Sequence, residues 1–177
     1  MEKRKGLKYL LEAYSRLKWE HPNIRLIVVG PGNLGKDSHR ILSARNPQDV
    51  TLVGGVSYQD LPRYYASSDI FCSPATGQES FGIVLLEAMA AGKPIVASAI
   101  EGYMGIVKPG EQGLLFPRKN SEALADTLAT LITDPELAAR MGATGRQMVE
   151  QYRWKVVAQQ AETYYYDCIA MTNGHTG

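Results

Sequence analysis

Apolar positions along this chain switch between two periods. Leu7, Leu10, Leu11, Tyr14 and Leu17 recur every three or four residues, the spacing of one helix face, and His21-Pro22-Asn23 ends the pattern. A stretch from Ile24 to Val29, apolar apart from Arg25, follows and stops at Gly30, as a buried strand does. Lys36 to Arg45 predicts a second helix, Val50 to Val53 a short strand and Gly54-Gly55 a turn. Ser57 suits the N-cap of a helix from about Gln59 to Ser67. Asp69 to Ser73 reads as a strand, Ile83 to Ala91 as a short helix closed by Gly92 and Pro94, and Ile95 to Ala97 as a buried strand. Gly113 to Phe116 is a late strand. Asn120 or Ser121 caps a helix through Ile132, Pro135 opens another, and Trp154 to about Met171 forms the last. Within that last helix one or two of Tyr164, Tyr165 and Tyr166 are expected to anchor to the core.

Strands alternating with helices imply a parallel sheet covered on both faces. With right-handed crossovers the expected fold is α/β, a doubly wound Rossmann-like parallel sheet with helices on both faces. Ligands of such sheets bind beyond the carboxyl ends of the strands. Gly30, Gly54 and the loop carrying Glu79 each follow a strand, so all three are expected at that one edge.

Composition narrows the class. A chain of 177 residues, 45% hydrophobic and 21% charged, suits one globular domain with a sizeable core. A formal charge of +1 gives no push toward nucleic acid. Met1-Glu2-Lys3-Arg4-Lys5 is basic with no apolar stretch behind it, unlike a signal peptide. Cys72 and Cys168 lack metal-ligand spacing, and reduced thiols in a cytoplasmic setting are expected. The histidines form no metal or triad pattern.

The chemistry concentrates in Gln78 to Ala97, QESFGIVLLEAMAAGKPIVA. Glu79 stands in the loop ahead of a helix start at Ser80-Phe81-Gly82, and Glu87, eight positions on, projects from the second turn. Free N–H groups at a helix start attract phosphate. Glu87 lies roughly 7 Å further along the axis, which suits an acid reaching a ribose while the amides hold a diphosphate. Glu79 then faces whatever is attached at the other end. As ordinary structure, Glu87 would be a solvated helix acid; Val84, Leu85, Ala88 and Met89 are core on either reading.

This stretch resembles the donor-binding motif of family-four retaining glycosyltransferases, which have the GT-B fold. Glu79, Phe81-Gly82, Glu87, Ala88-Met89-Ala90, Gly92, Pro94 and Ile95-Val96 match its elements in order. The wording ESFGIVLLEAMAAG is similar to that of the phosphatidylinositol mannosyltransferases within the family. The resemblance implies a C-terminal donor-binding domain of an enzyme that transfers a hexose from a nucleoside diphosphate sugar with retention. Guanosine diphosphate mannose is the first expectation and a uridine diphosphate sugar the second, with no cofactor and no catalytic metal. Glu79 is implied as the catalytic residue, contacting the sugar hydroxyls. Ser80, Phe81, Gly82, Ile83 and Val84 are implied at the diphosphate, and Glu87 at the ribose.

Other sites follow from the same resemblance. Lys5, before Gly6 and the first helix, is implied as a diphosphate lysine; otherwise Lys3, Arg4 and Lys5 are a solvated basic run. Gly30-Pro31-Gly32-Asn33-Leu34-Gly35 also fits a dinucleotide fingerprint, but the following strand ends in Val53-Gly54-Gly55 without the acid that reading needs. Gly30 and Gly32 are therefore expected to leave room for the donor, and Val56 to border its base. In the family a Gly-Arg pair lies a few residues ahead of Lys-Gly. Arg4 is adjacent to Lys5 and does not fill that place, so Arg4 and Lys3 are expected in solvent. The family usually carries an acid between Gly102 and Val107, where this chain has Tyr103-Met104-Gly105.

The organisation expected is residues 1–172 as a donor-binding domain lacking its first strand and 173–177 as a disordered tail. An N-terminal acceptor-binding domain is expected outside this chain, which alone is expected to be inactive. A lipid acceptor would make the full-length enzyme peripheral at a membrane. A non-hydrolysing sugar-nucleotide epimerase and a binding module without turnover are the alternatives.

Overall fold

The computed structural model describes residues 2–45 and 49–173. After a 3-10 turn, Lys3–Lys5, come α1 (Leu7–Glu20), β1 (Leu26–Val29), α2 (Lys36–Arg45), β2 (Val50–Gly54), α3 (Leu61–Ser67), β3 (Phe71–Ser73) and α4 (Ile83–Ala90). They are followed by β4 (Ile95–Ser98), α5 (Glu101–Met104), β5 (Gly113–Phe116), α6 (Ser121–Thr133) and α7 (Pro135–Met148). A second 3-10 turn, Val149–Tyr152, leads into α8 (Trp154–Asn173). Residues 174–177, most of the expected tail, lie outside the described residues, and Asn173 is the last residue of α8.

All strand pairs are parallel. The sheet is in two pieces, β1-β2 and β3-β4-β5. Both lie under α1: Leu10, Ala13 and Leu17 of that helix share one core with Ile24 and Leu26 at β1 and with Ile70 and Cys72 at β3. Thus β1 and β3 share one core without pairing. Successive residues of β4 face opposite ways, as a strand requires. Val96 joins the core under α1 and α6, whereas Ile95 and Ala97 join a second core with Leu85, Met89 and Tyr103 of α4 and α5. The all-apolar strand is buried because helices cover both faces.

Departures from the expected boundaries have local causes. The run from Ile24 pairs only from Leu26, because the Ile24 carbonyl accepts bonds from the Tyr14 hydroxyl (3.2 Å) and Lys18 Nζ (2.9 Å). The third helix starts at Leu61 with Asp60, not Ser57, as its N-cap. The Ser57 hydroxyl donates to the Asp60 carboxylate at 2.7 Å and accepts its N–H at 3.1 Å, so residues 57–60 form a turn of their own. Helix α5 is one turn, too short to show a period. The tyrosine expectation is overturned: Tyr164, Tyr165 and Tyr166 are 66%, 67% and 66% exposed, since α8 has no core beneath that stretch. Among the described residues no helix is long and apolar enough to cross a membrane.

Candidate functional site

The loop from Pro74 to Gly82 hangs between β3 and α4 and is tied at both ends. At its start, the Thr76 N–H donates to the Arg4 carbonyl at 2.7 Å. Gly6 lies so close that a Cβ there would sit 1.8 Å from the Pro74 oxygen. At its finish, Gly82 caps α4 in the left-handed region (φ 75°), and its missing Cβ leaves room for the Tyr103 ring. Between them Gln78 takes a φ of 60°, unusual for a residue with a side chain. Such backbone persists only where its surroundings impose it.

Glu79 is held by cations. Its Oε1 accepts from Lys5 Nζ at 2.6 Å and from Arg4 Nη1 at 2.8 Å, and its side chain is 13% exposed. Arg4 Nη1 also donates to the Gln78 carbonyl at 3.0 Å, while Nε bonds Glu2. The bond to Glu2 pushes the Arg4 guanidinium further up against the opposition of desolvation, and the charges of Glu2 and Glu79 add smaller pushes. Expecting Arg4 in solvent was therefore wrong: the turn before α1 swings it over a loop some 75 residues away. Lys5 meets Glu79 as well, on the same oxygen.

Helix α4 begins immediately after. Its first N–H groups have no partner inside the helix by geometry, and among the described residues no side chain caps them. Ser80, Phe81 and Ile83 are exposed, Gly82 is buried and Val84 is half-buried. The Phe81 ring leans edge-on against Tyr152 at 6.0 Å, so its side chain is anchored and its backbone is what the site presents. One turn on, half-buried Glu87 accepts a 2.7 Å hydrogen bond on Oε2 from the Tyr65 hydroxyl of α3.

Gly30, Gly32 and Val56 form a separate group at the ends of β1 and β2. The Gly30 N–H donates to the Gly54 carbonyl at 2.8 Å, and Gly55 packs beside Pro31. Among the described residues no hydrogen bond or ion pair joins this group to Glu79 or Glu87. Both groups gather around the start of α1, where Leu34 after β1 packs against a cluster that includes Leu7 and Gly6 meets Pro74 after β3.

A family model described as "Glycosyl transferases group 1" matches residues 1–148. The chain belongs to this family. Its architecture, α/β with parallel strands and flanking helices, is that of the C-terminal, donor-side domain of GT-B glycosyltransferases. It is similar to the phosphatidyl-myo-inositol mannosyltransferase of Mycobacterium leprae, 37% identical over 164 residues that cover 93% of this chain and 43% of the relative. It is similar also to a GDP-mannose-dependent monoacylated alpha-(1-6)-phosphatidylinositol monomannoside mannosyltransferase of Corynebacterium glutamicum, 33% identical over 164 residues covering 89% and 42%. Among solved structures, Anabaena Alr3699/HepE in complex with UDP and glucose superposes with a TM-score of 0.81 at 29% identity, over 93% of this chain and 45% of that one. The chain thus spans less than half the length of the curated relatives it matches.

Three contributors to this glycosyltransferase domain escape a reading of the sequence. Arg4 and Tyr65 are the partners, distant in sequence, of the two acids. The third is Gly102 of α5, where a Cβ would lie 1.9 Å from the Glu79 carbonyl oxygen. Next to it, buried Tyr103 shares a 2.7 Å hydrogen bond with Ser73, and burial pushes its phenol up. A glycine inside the helical string Glu101-Gly102-Tyr103-Met104 was the one available signal of a close approach.

Proposed function

We propose that this chain is the donor half of a retaining transferase that moves mannose from guanosine diphosphate mannose to an acceptor held by a separate amino-terminal domain. One arrangement carries the reading: an uncapped helix start, an acid clamped to two cations ahead of it, and a second acid one turn along. The N–H groups at Ser80, Phe81, Gly82, Ile83 and Val84 are oriented before reaction, so they offset charge on a departing diphosphate without reorganising. Lys5 supplies a full positive charge to the same group. Glu87 receives the ribose hydroxyls, Glu79 contacts the sugar, and Gly30, Gly32 and Val56 border the base.

Mannose is supported by the names of both mannosyltransferase relatives and guanosine by that of the Corynebacterium glutamicum one, and the uridine nucleotide bound to the Anabaena protein keeps a uridine diphosphate sugar as the second donor. Residues 1–172 make the donor domain, and the unpaired edges of β1 and β3 support a first strand supplied by the rest of the protein. With a lipid acceptor the complete enzyme works at the cytoplasmic face of a membrane as a peripheral protein. No cofactor takes part.

Glu87→Ala is expected to weaken binding of guanosine diphosphate by the complete protein about tenfold, on the order of one hydrogen bond to a charged group. Isothermal titration of wild type and variant checks this, and equal affinities would remove Glu87 from the site. Residues 1–177 alone are expected to give no sugar transfer in a radiolabelled-donor assay, because the acceptor is bound elsewhere. Turnover by the isolated chain would overturn the division of labour.

A further inference from the structure

We propose that Tyr65 is a positioning residue that makes the donor site demand an intact ribose diol. The inference rests on the assignment of Glu87 to the ribose. Tyr65 lies in α3, the helix that follows the Val56-Ser57 turn. Its ring tilts against Phe71 at the start of β3, with centroids 5.3 Å apart, so its direction is set by packing on the core. From there its hydroxyl meets Glu87 Oε2 at 2.7 Å.

The two acids of the site are held differently. Glu79 is met by two cations on one oxygen. Glu87 has no ion-pair partner among the described residues and is met by a neutral donor. Burial, and next the bond to the carboxylate, push the Tyr65 phenol up, so it keeps its proton and can only donate toward Glu87. A carboxylate offers about four lone-pair sites on two oxygens. The phenol fills one on Oε2, which restrains the rotation of the group, and among the described residues no bond is made to Oε1. An acid fixed in this way, without a cation drawing off its charge, fits two adjacent hydroxyl donors. Without the phenol the carboxylate turns about its terminal bond, and two-point recognition of a diol is what that rotation removes.

The test uses the complete protein and titrates guanosine diphosphate against its 2′,3′-dideoxyribose analogue, with the uridine pair run in parallel because the base is not at issue. Wild type is expected to prefer the ribose form about tenfold or more. Tyr65→Phe, which keeps the ring on Phe71, is expected to lose most of that preference. It should weaken the ribose form several-fold, leave the dideoxy form unchanged and melt within a few degrees of wild type. Adding Tyr65→Phe to Glu87→Ala should cause no further loss. A wild type that binds ribose and dideoxyribose forms alike overturns the proposal together with the ribose assignment beneath it. A wild type that prefers ribose, with a Tyr65→Phe variant that keeps that preference or loses affinity for both forms equally, overturns the proposal alone.

Discussion

Glu79→Ala is expected to lower sugar transfer by the complete protein about a hundredfold or more, the scale on which removal of one fixed electrostatic group acts on a transition state. Nucleotide affinity should change less than transfer, because in this reading Glu79 meets the sugar and touches the diphosphate site only through Lys5. The geometry explains the asymmetry. Arg4 and Lys5 both meet Oε1, and among the described residues no bond occupies Oε2. The carboxylate is oriented by one oxygen and presents the other. Stability should suffer by only ~1 kcal/mol or less, since Arg4 and Lys5 keep 33% and 45% of their side-chain exposure and water replaces the lost partner. Initial rates with saturating donor, set beside titration of guanosine diphosphate, separate these effects. Transfer within about threefold of wild type would take Glu79 out of the chemistry.

Gly102→Ala is the second large effect, and it acts through the backbone. The added Cβ would lie 1.9 Å from the Glu79 carbonyl oxygen and 2.7 Å from its carbon. Neither atom belongs to a side chain that can swing aside. Either α5 or the Pro74–Gly82 loop must move by more than an ångström, at a cost of ~3 kcal/mol for an overpacked site. For a chain of this size the melting temperature should fall on the order of 10 °C. Transfer should fall at least about tenfold, since a shift of that size misplaces Glu79. Gly105→Ala is the control: nothing lies within 4 Å of its added Cβ, and a near-neutral result is expected. Equal melting of the two variants would show that α5 does not brace the loop.

These two residues differ in how visible they were. Glu79 stood out because its neighbours along the chain identify it: a helix start three residues on, a second acid at eight, a strand after that. The same holds for the face of α1, the start of α7 at Pro135 and the strand Gly113–Phe116, where period, cap and turn residues act over a few positions. Asn120 caps α6 by accepting the Ala123 N–H at 3.0 Å, a bond confined to four residues and readable as such. Boundaries slipped where a side chain captured nearby backbone, as Ser57 did with Asp60 and Tyr14 with Ile24.

The linear order of residues thus determined the fold class, most of the elements and the position of both acids, because those depend on interactions between near neighbours. Only the folded chain decided what holds the acids: Arg4 against Glu79, Gly102 beneath its carbonyl and Tyr65 on Glu87, partners separated by 75, 23 and 22 positions. No local pattern encodes such pairs. They arise when parallel strands bring successive loops to one edge of a sheet, and which side chains then meet is set by how the helices pack across it.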